Sequence, residues 1–116
     1  VGDEQFGRFL REQLAREGVD LGGLKTDPTR LTALAILSVE SDKSFPLLFY
    51  RENCADMALE EADVDAAFLA TARAVVVTGT HFAKPNTEAA QRKAMRLMRA
   101  QGGKVILDID YRPNLW

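Results

Sequence analysis

The 116 residues of this chain are enough for one domain with a hydrophobic core, since domains most often have roughly 100–150 residues. Hydrophobic residues make up 47% of the chain, and the net charge of -2 weighs against nucleic-acid binding, which usually needs a basic excess. No apolar run approaches the roughly 18 residues that span a membrane, and no signal peptide is visible. The single cysteine, Cys54, excludes an internal disulfide and makes a reducing cytoplasm the expected compartment.

The ends of the chain are unlike those of a natural protein. It opens with Val1 instead of a methionine, and it stops at Trp116 soon after a predicted strand. We therefore expect a piece of a longer protein, which forms a single incomplete domain over residues 1–116.

The first half is predicted to form a helix and then a β-hairpin. Residues 3–17 carry apolar side chains at helical spacing, with Asp3 as the N-cap and Gly18 as the stop. Two apolar runs flank a polar turn, which predicts an antiparallel hairpin over about residues 31–51. Both faces of the hairpin are apolar, so a ligand cleft could cover one face and a second subunit the other.

The second half is predicted to form a helix and then a strand–helix–strand unit. Residues 60–72 and 87–101 have helical spacing, whereas residues 74–78 and 104–108 are continuous apolar runs typical of buried strands. This βαβ unit, over about residues 74–110, predicts parallel strands and an α/β fold.

Polar side chains follow both predicted parallel strands. Thr80 and His81 follow the first strand, and Asp110 and Arg112 follow the second. Ligands of open parallel sheets bind beyond the carboxyl ends of the strands, so these side chains are candidate neighbours. Three of them have a plainer interpretation as well: Arg112 as a solvated charge, His81 as a hydrogen-bonded loop residue, and Asp110 as an acceptor for Arg112.

A second group of polar residues follows the hairpin. The guanidinium of Arg51 suits a carboxylate, and the amide of Asn53 can both donate to and accept from sugar hydroxyls. If the hairpin folds over the sheet edge, Arg51 and Arg112 would converge on one anionic ligand, for which a sugar acid is suitable. The sequence has neither a G-x-x-x-x-G-K-[ST] nor a G-x-G-x-x-G phosphate-binding motif.

Four segments resemble the ribokinase-like (PfkB) family of carbohydrate kinases over essentially the whole chain. The resemblance implies a partial ribokinase-like, Rossmann-type parallel sheet with helices and a β-hairpin lid. The segments are Val1-Gly2-Asp3-Glu4-Gln5-Phe6-Gly7, Phe49-Tyr50-Arg51-Glu52-Asn53-Cys54-Ala55-Asp56, Thr78-Gly79-Thr80-His81-Phe82 and Asp108-Ile109-Asp110-Tyr111-Arg112-Pro113-Asn114-Leu115-Trp116.

The resemblance also implies roles for single residues. Arg51 and Arg112 match arginines near the substrate carboxylate, while Asn53, Asp110 and His81 complete the expected substrate-binding set. Asp110 stands where the family usually has Asn, which puts a generic ribose or fructose substrate in doubt. The hairpin would be the lid and would pair two subunits into a homodimer.

The family's catalytic base and ATP site belong to a part of the fold that this chain lacks. The resemblance therefore implies no catalytic residue and no bound cofactor here, with ATP and Mg²⁺ needed by the full-length parent and this chain alone inactive. The expected partner is a small sugar acid, with no nucleic acid and no membrane. Two alternatives stay open: a non-catalytic binding or dimerisation module, and a family kinase for 2-keto-3-deoxygluconate or a ketose.

Overall fold

The computed structural model describes residues 1–113, so Asn114-Leu115-Trp116, the end of the last motif, lies outside the described residues. The chain divides into two compact units, one over Val1–Met57 and one that begins at Ala58. The expectation of a single incomplete domain stays a prediction.

The first unit begins with helix α1, Gln5–Arg16. Its N-cap is Glu4 and not the predicted Asp3, because the Glu4 carboxylate accepts from the backbone N–H groups of Phe6 at 2.7 Å and Gly7 at 3.1 Å. Gly18 follows the helix in the left-handed conformation, as the sequence predicts. The predicted apolar face is largely exposed, with Phe6 at 54%.

The predicted hairpin is present but its strands are shorter than predicted. Strand β1, Leu34–Leu37, pairs antiparallel with β2, Leu47–Tyr50. The ladder stops near the turn because Pro46 has no N–H to donate. At the other end it stops because the Thr32 N–H donates to Glu4 instead, at 3.1 Å.

Both faces of the hairpin are apolar and exposed. Ile36 and Leu48 lie opposite each other on one face and are 49% and 54% exposed. Leu37 and Leu47 form the corresponding pair on the other face and are 52% and 40% exposed.

The second unit begins with a helix that is much shorter than predicted. The predicted helix over residues 60–72 is wrong in extent, since only α2, Ala66–Ala70, is α-helical, after a 3₁₀ turn at Glu61–Asp63. The Asp63 carboxylate accepts from the Glu60 N–H at 3.0 Å, and the Asp65 carboxylate accepts from the Ala67 N–H at 2.8 Å. Two caps so close together start two short helices instead of one long helix.

The βαβ unit is the best-predicted part of the fold. Strand β3, Ala74–Thr78, and strand β4, Lys104–Asp108, have the predicted bounds and pair in parallel. They are joined by a 3₁₀ segment, Gly79–Ala83, and by helix α3, Pro85–Ala100. The core of the unit lies between α3 and the sheet and contains Val77, Ala90, Ala94 and Met98.

Candidate functional site

Arg51 lies in a tight turn directly after β2. The Cys54 N–H donates to the Arg51 carbonyl at 3.4 Å, and Asn53 adopts the left-handed conformation with φ of 50°. The Arg51 Nε donates to the Asp56 Oδ2 at 2.5 Å, and only 13% of the Arg51 side chain is exposed. The guanidinium is therefore held in an ion pair within its own loop.

Asn53 is tied to a second ion pair of the first unit. Its Oδ1 accepts from the Arg30 Nε at 3.2 Å, while the Arg30 Nη1 donates to the Asp27 Oδ2 at 2.8 Å. The Asp27 carboxylate also accepts from the backbone and hydroxyl of Thr29. The pKa of Asp27 lies well below its ordinary value. The hydrogen bond from the Arg30 side chain is the largest cause, and the bonds from Thr29 come next.

Cys54 is buried inside the Arg51 turn. Its Sγ donates to the Tyr50 carbonyl at 3.6 Å. Burial raises the pKa of the thiol, the Asp56 carboxylate raises it further, and Arg51 opposes them. Cys54 therefore stays protonated near neutral pH, which agrees with a structural role instead of a nucleophilic one.

His81 lies in a network of hydroxyl groups beyond β3. The Thr78 Oγ1 is 3.0 Å from the Thr80 Oγ1 and 3.2 Å from the His81 Nδ1. The Thr87 hydroxyl donates to the His81 carbonyl at 2.5 Å. His81 is thus fixed through both its ring and its backbone.

The buried side chain of Gln91 fixes the end of β3. Its Oε1 accepts from the Thr78 N–H, and its Nε2 donates to the Thr78 carbonyl, each at 2.9 Å. Beyond Thr78, a methyl group at Gly79 would collide with the carbonyl oxygen of Ile109, so the segments that follow β3 and β4 lie in close contact.

Asp110 and Arg112 form an ion pair beyond β4. The Arg112 Nη2 is 2.7 Å from the Asp110 Oδ1, with 45% of the arginine side chain and 28% of the aspartate side chain exposed. Asp110 has a positive φ of 29°, which Asp tolerates better than most residues. The carboxylate thus accepts from Arg112, as in the plainer interpretation.

The five predicted site residues fall into two groups. Arg51 and Asn53 share one turn of the first unit. In the second unit, His81 follows β3 and Asp110 and Arg112 follow β4, at the same edge of the sheet because Thr78 pairs with Asp108. Arg51 and Arg112 belong to different units, so their convergence on one anionic ligand stays a prediction.

Three side chains that hold these groups in place were not predicted from the sequence. Asp56 and Arg30 pair with Arg51 and Asn53, and Gln91 binds the backbone of Thr78. Asp56 stands five residues after Arg51. A loop can bring two residues at this spacing into contact, whereas a strand would hold them apart. Gln91 gives a weaker signal, as a polar residue next to Ala90 on the inner face of α3.

Residues 1–113 contain no cluster of three or more His, Cys, Asp or Glu side chains able to hold a metal ion. None of the helices described there has the length and apolar character to cross a membrane.

Sequence comparisons place named kinases among the relatives of this chain. A family model for pfkB family carbohydrate kinases matches residues 1–116. The 5-dehydro-2-deoxygluconokinase of Mesomycoplasma hyopneumoniae (strain 232) is 33% identical over 116 residues, and that of Geobacillus kaustophilus is 35% identical over 117. The matches cover 100% of this chain but only 34% and 35% of those proteins.

Solved structures show the same fold. Fructokinase of Xylella fastidiosa with bound ATP has a TM-score of 0.91 and 28% identity, covering 100% of this chain and 35% of its own. A putative ribokinase II of E. coli in complex with ATP and Mg²⁺ has a TM-score of 0.88 and 26% identity, covering 97% of this chain and 35% of its own. The fold is α/β and ribokinase-like, as the sequence predicts.

Proposed function

The chain belongs to the pfkB family of carbohydrate kinases, and from this membership we propose that the complete gene product phosphorylates a sugar acid. The substrate we propose is 5-dehydro-2-deoxygluconate, in inositol catabolism in the cytoplasm. The observation that carries the proposal is the 33–35% identity to 5-dehydro-2-deoxygluconokinases along the whole of this chain.

Two guanidinium groups make the candidate site suitable for an acidic substrate. Arg51 and Arg112 are our proposed partners of the substrate carboxylate, because a guanidinium matches the planar geometry of a carboxylate. Each lies next to an aspartate that pairs with it, Asp56 and Asp110 respectively. Asn53, Asp110 and His81 are the proposed partners of the sugar hydroxyls.

ATP and Mg²⁺ are proposed for the complete gene product and not for this chain. The described residues offer no group of metal ligands, and the sequence has no phosphate-binding motif. We therefore propose that this chain alone binds neither a nucleotide nor its metal ion. Since phosphoryl transfer depends on positioning and charge stabilisation at the phosphate, we propose that this chain alone is inactive.

Substrate profiling of the complete gene product tests the proposal. We expect kcat/KM for 5-dehydro-2-deoxygluconate to exceed that for fructose by about a hundredfold, because a neutral sugar has no carboxylate with which Arg51 and Arg112 can form charge-assisted hydrogen bonds. The kcat/KM for 2-keto-3-deoxygluconate, measured in the same way, shows which of the two sugar acids the enzyme prefers. A preference for fructose or for 2-keto-3-deoxygluconate would contradict the substrate assignment.

A homodimer through the lid hairpin is the second proposal. The exposed apolar side chains on both hairpin faces support it, since monomers rarely leave such surfaces uncovered. One double variant, Ile36→Ser with Leu48→Ser, changes one face, and the other, Leu37→Ser with Leu47→Ser, changes the opposite face. We expect one of the two to convert the dimer to a monomer, as measured by light scattering. A wild-type monomer, or dimers in both variants, would contradict it.

A further inference from the structure

We propose that Asp56 is a positioning residue for the sugar acid, which holds the Arg51 guanidinium in the orientation that receives the substrate carboxylate. This inference rests on the proposed function, in which Arg51 binds that carboxylate. It assigns to Asp56 an effect on substrate affinity that is exerted entirely through Arg51.

Asp56 is fixed independently of the arginine that it holds. It belongs to the 3₁₀ turn Ala55–Ala58. The Ala55 N–H donates to the Leu31 carbonyl at 2.9 Å, and the Met57 N–H donates to the Cys54 carbonyl at 3.1 Å. The bond to Leu31 attaches the turn to the rest of the first unit and the bond to Cys54 closes it, so the backbone that carries Asp56 is held in place without Arg51.

Arg51 is attached at its backbone and at its Nε. It follows Tyr50, the last residue of β2, and its carbonyl closes the turn with the Cys54 N–H at 3.4 Å. Its Nε lies 2.5 Å from the Asp56 Oδ2. Because the guanidinium is planar, a bond at Nε sets the direction of the whole group.

Burial makes this pair more effective than a surface ion pair. Only 13% of the Arg51 side chain and 30% of the Asp56 side chain are exposed, so water screens the attraction less than at the surface. An arginine that is already oriented loses less side-chain freedom when a ligand binds, and this lowers the cost of binding. The negative charge of Asp56 would itself repel a carboxylate, so its benefit to affinity has to come from orientation.

The experiment measures steady-state kinetics of the complete gene product in four variants. These are Asp56→Asn, Arg51→Met, the double variant, and Glu52→Gln as a control for losing an acidic group from the same turn. The readouts are the KM for the sugar acid, the KM for ATP and the thermal midpoint.

We expect Asp56→Asn to raise the KM for the sugar acid by about tenfold and to leave the KM for ATP unchanged. The double variant should have the same KM for the sugar acid as Arg51→Met alone, because Asp56 has no effect once Arg51 is gone. Glu52→Gln should match the wild type. A general loss of structure would instead lower the thermal midpoint and the apparent kcat, without a change confined to the KM for the sugar acid.

Three results would overturn the inference. If Arg51→Met raises the KM for the sugar acid and Asp56→Asn does not, Asp56 has no positioning role and the proposed function still stands. If the two effects multiply in the double variant, Asp56 acts independently of Arg51. If Arg51→Met leaves that KM unchanged, the inference and the carboxylate-binding role in the proposed function both fail.

If Asp56→Asn does not fold, Asp56→Glu replaces it in the experiment, because this variant keeps the charge and moves the carboxylate by one methylene. A KM for the sugar acid about threefold above that of the wild type, with the KM for ATP unchanged, supports the positioning role. Unchanged values for both would overturn it.

Discussion

Two carboxylates of the first unit each bind several donors at once. Glu4 accepts from the N–H groups of Phe6, Gly7 and Thr32 and from the Thr32 hydroxyl. The Thr32 hydroxyl is the largest cause that lowers the pKa of Glu4, and the Arg30 guanidinium is the largest for Asp27. Both groups are therefore more acidic in the folded chain than in the unfolded chain.

Acidification should destabilise the first unit through these groups. A lowered pKa means that the unfolded state binds more protons, so the stabilisation is present above the ordinary pKa values and is lost as the pH falls towards the lowered ones. We expect the urea midpoint of the complete gene product to fall between pH 6 and about pH 3. Glu4→Gln should lower the midpoint at pH 6 and weaken this pH dependence.

Glu52→Gln is the matched control, because Glu52 is exposed. It should keep the wild-type dependence of the midpoint on pH. Identical acid dependence in Glu4→Gln and in the wild type would contradict the assigned role of the Glu4 carboxylate.

Single residues were the hardest features to predict. Arg51, Asn53, His81, Asp110 and Arg112 were found as chemically suitable groups, but sequence does not give the partners of a side chain. Asp56 and Gln91 gain their roles from a loop and a helix–strand contact, which only folding brings about. The N-cap is Glu4 and not the predicted Asp3 for the same reason, since Thr32, 28 residues away, donates to the Glu4 carboxylate.

Among the elements, the end of β3 depends most on one side chain. Thr78 pairs with Asp108 in the register of the sheet, and Gln91 supplies both a donor and an acceptor to the Thr78 backbone. The Gln91 amide thus makes the two hydrogen bonds that a neighbouring strand would otherwise make with Thr78. His81 and its hydroxyl network begin just beyond this position.

Replacing Gln91 with methionine should destabilise the second unit. The substitution keeps the length of the side chain but leaves the N–H and carbonyl of Thr78 without these partners, which costs on the order of 1–3 kcal/mol. Urea unfolding of the complete gene product measures it, with Arg99→Met, at an exposed position of α3, as the control. Equal midpoints in the two variants would contradict the role of Gln91.

Elements were predictable where the apolar pattern and the stop signals agreed. Both parallel strands have the predicted bounds because each is a continuous apolar run that local signals end. The helix predicted over residues 60–72 failed because the carboxylates of Asp63 and Asp65 each compete for backbone N–H groups. Spacing alone does not show which of two neighbouring caps starts a helix.

At the scale of the whole molecule, much apolar surface is uncovered in this chain. Phe6 and Phe9 of α1 and Val76 and Ile106 of the parallel sheet are each more than half exposed. The chain spans 34% and 35% of the length of the two curated relatives described above. The proposed activity is therefore best tested in the complete gene product.

The most direct test of the central claim compares the sugar acid with its neutral methyl ester as substrates of that protein. If Arg51 and Arg112 both bind the carboxylate, the wild type should prefer the acid by about a hundredfold in kcat/KM, and Arg51→Met or Arg112→Met should each reduce this preference at least about tenfold. Arg99→Met should keep it. An undiminished preference for the acid in either arginine variant would contradict the claim that two guanidinium groups bind one carboxylate.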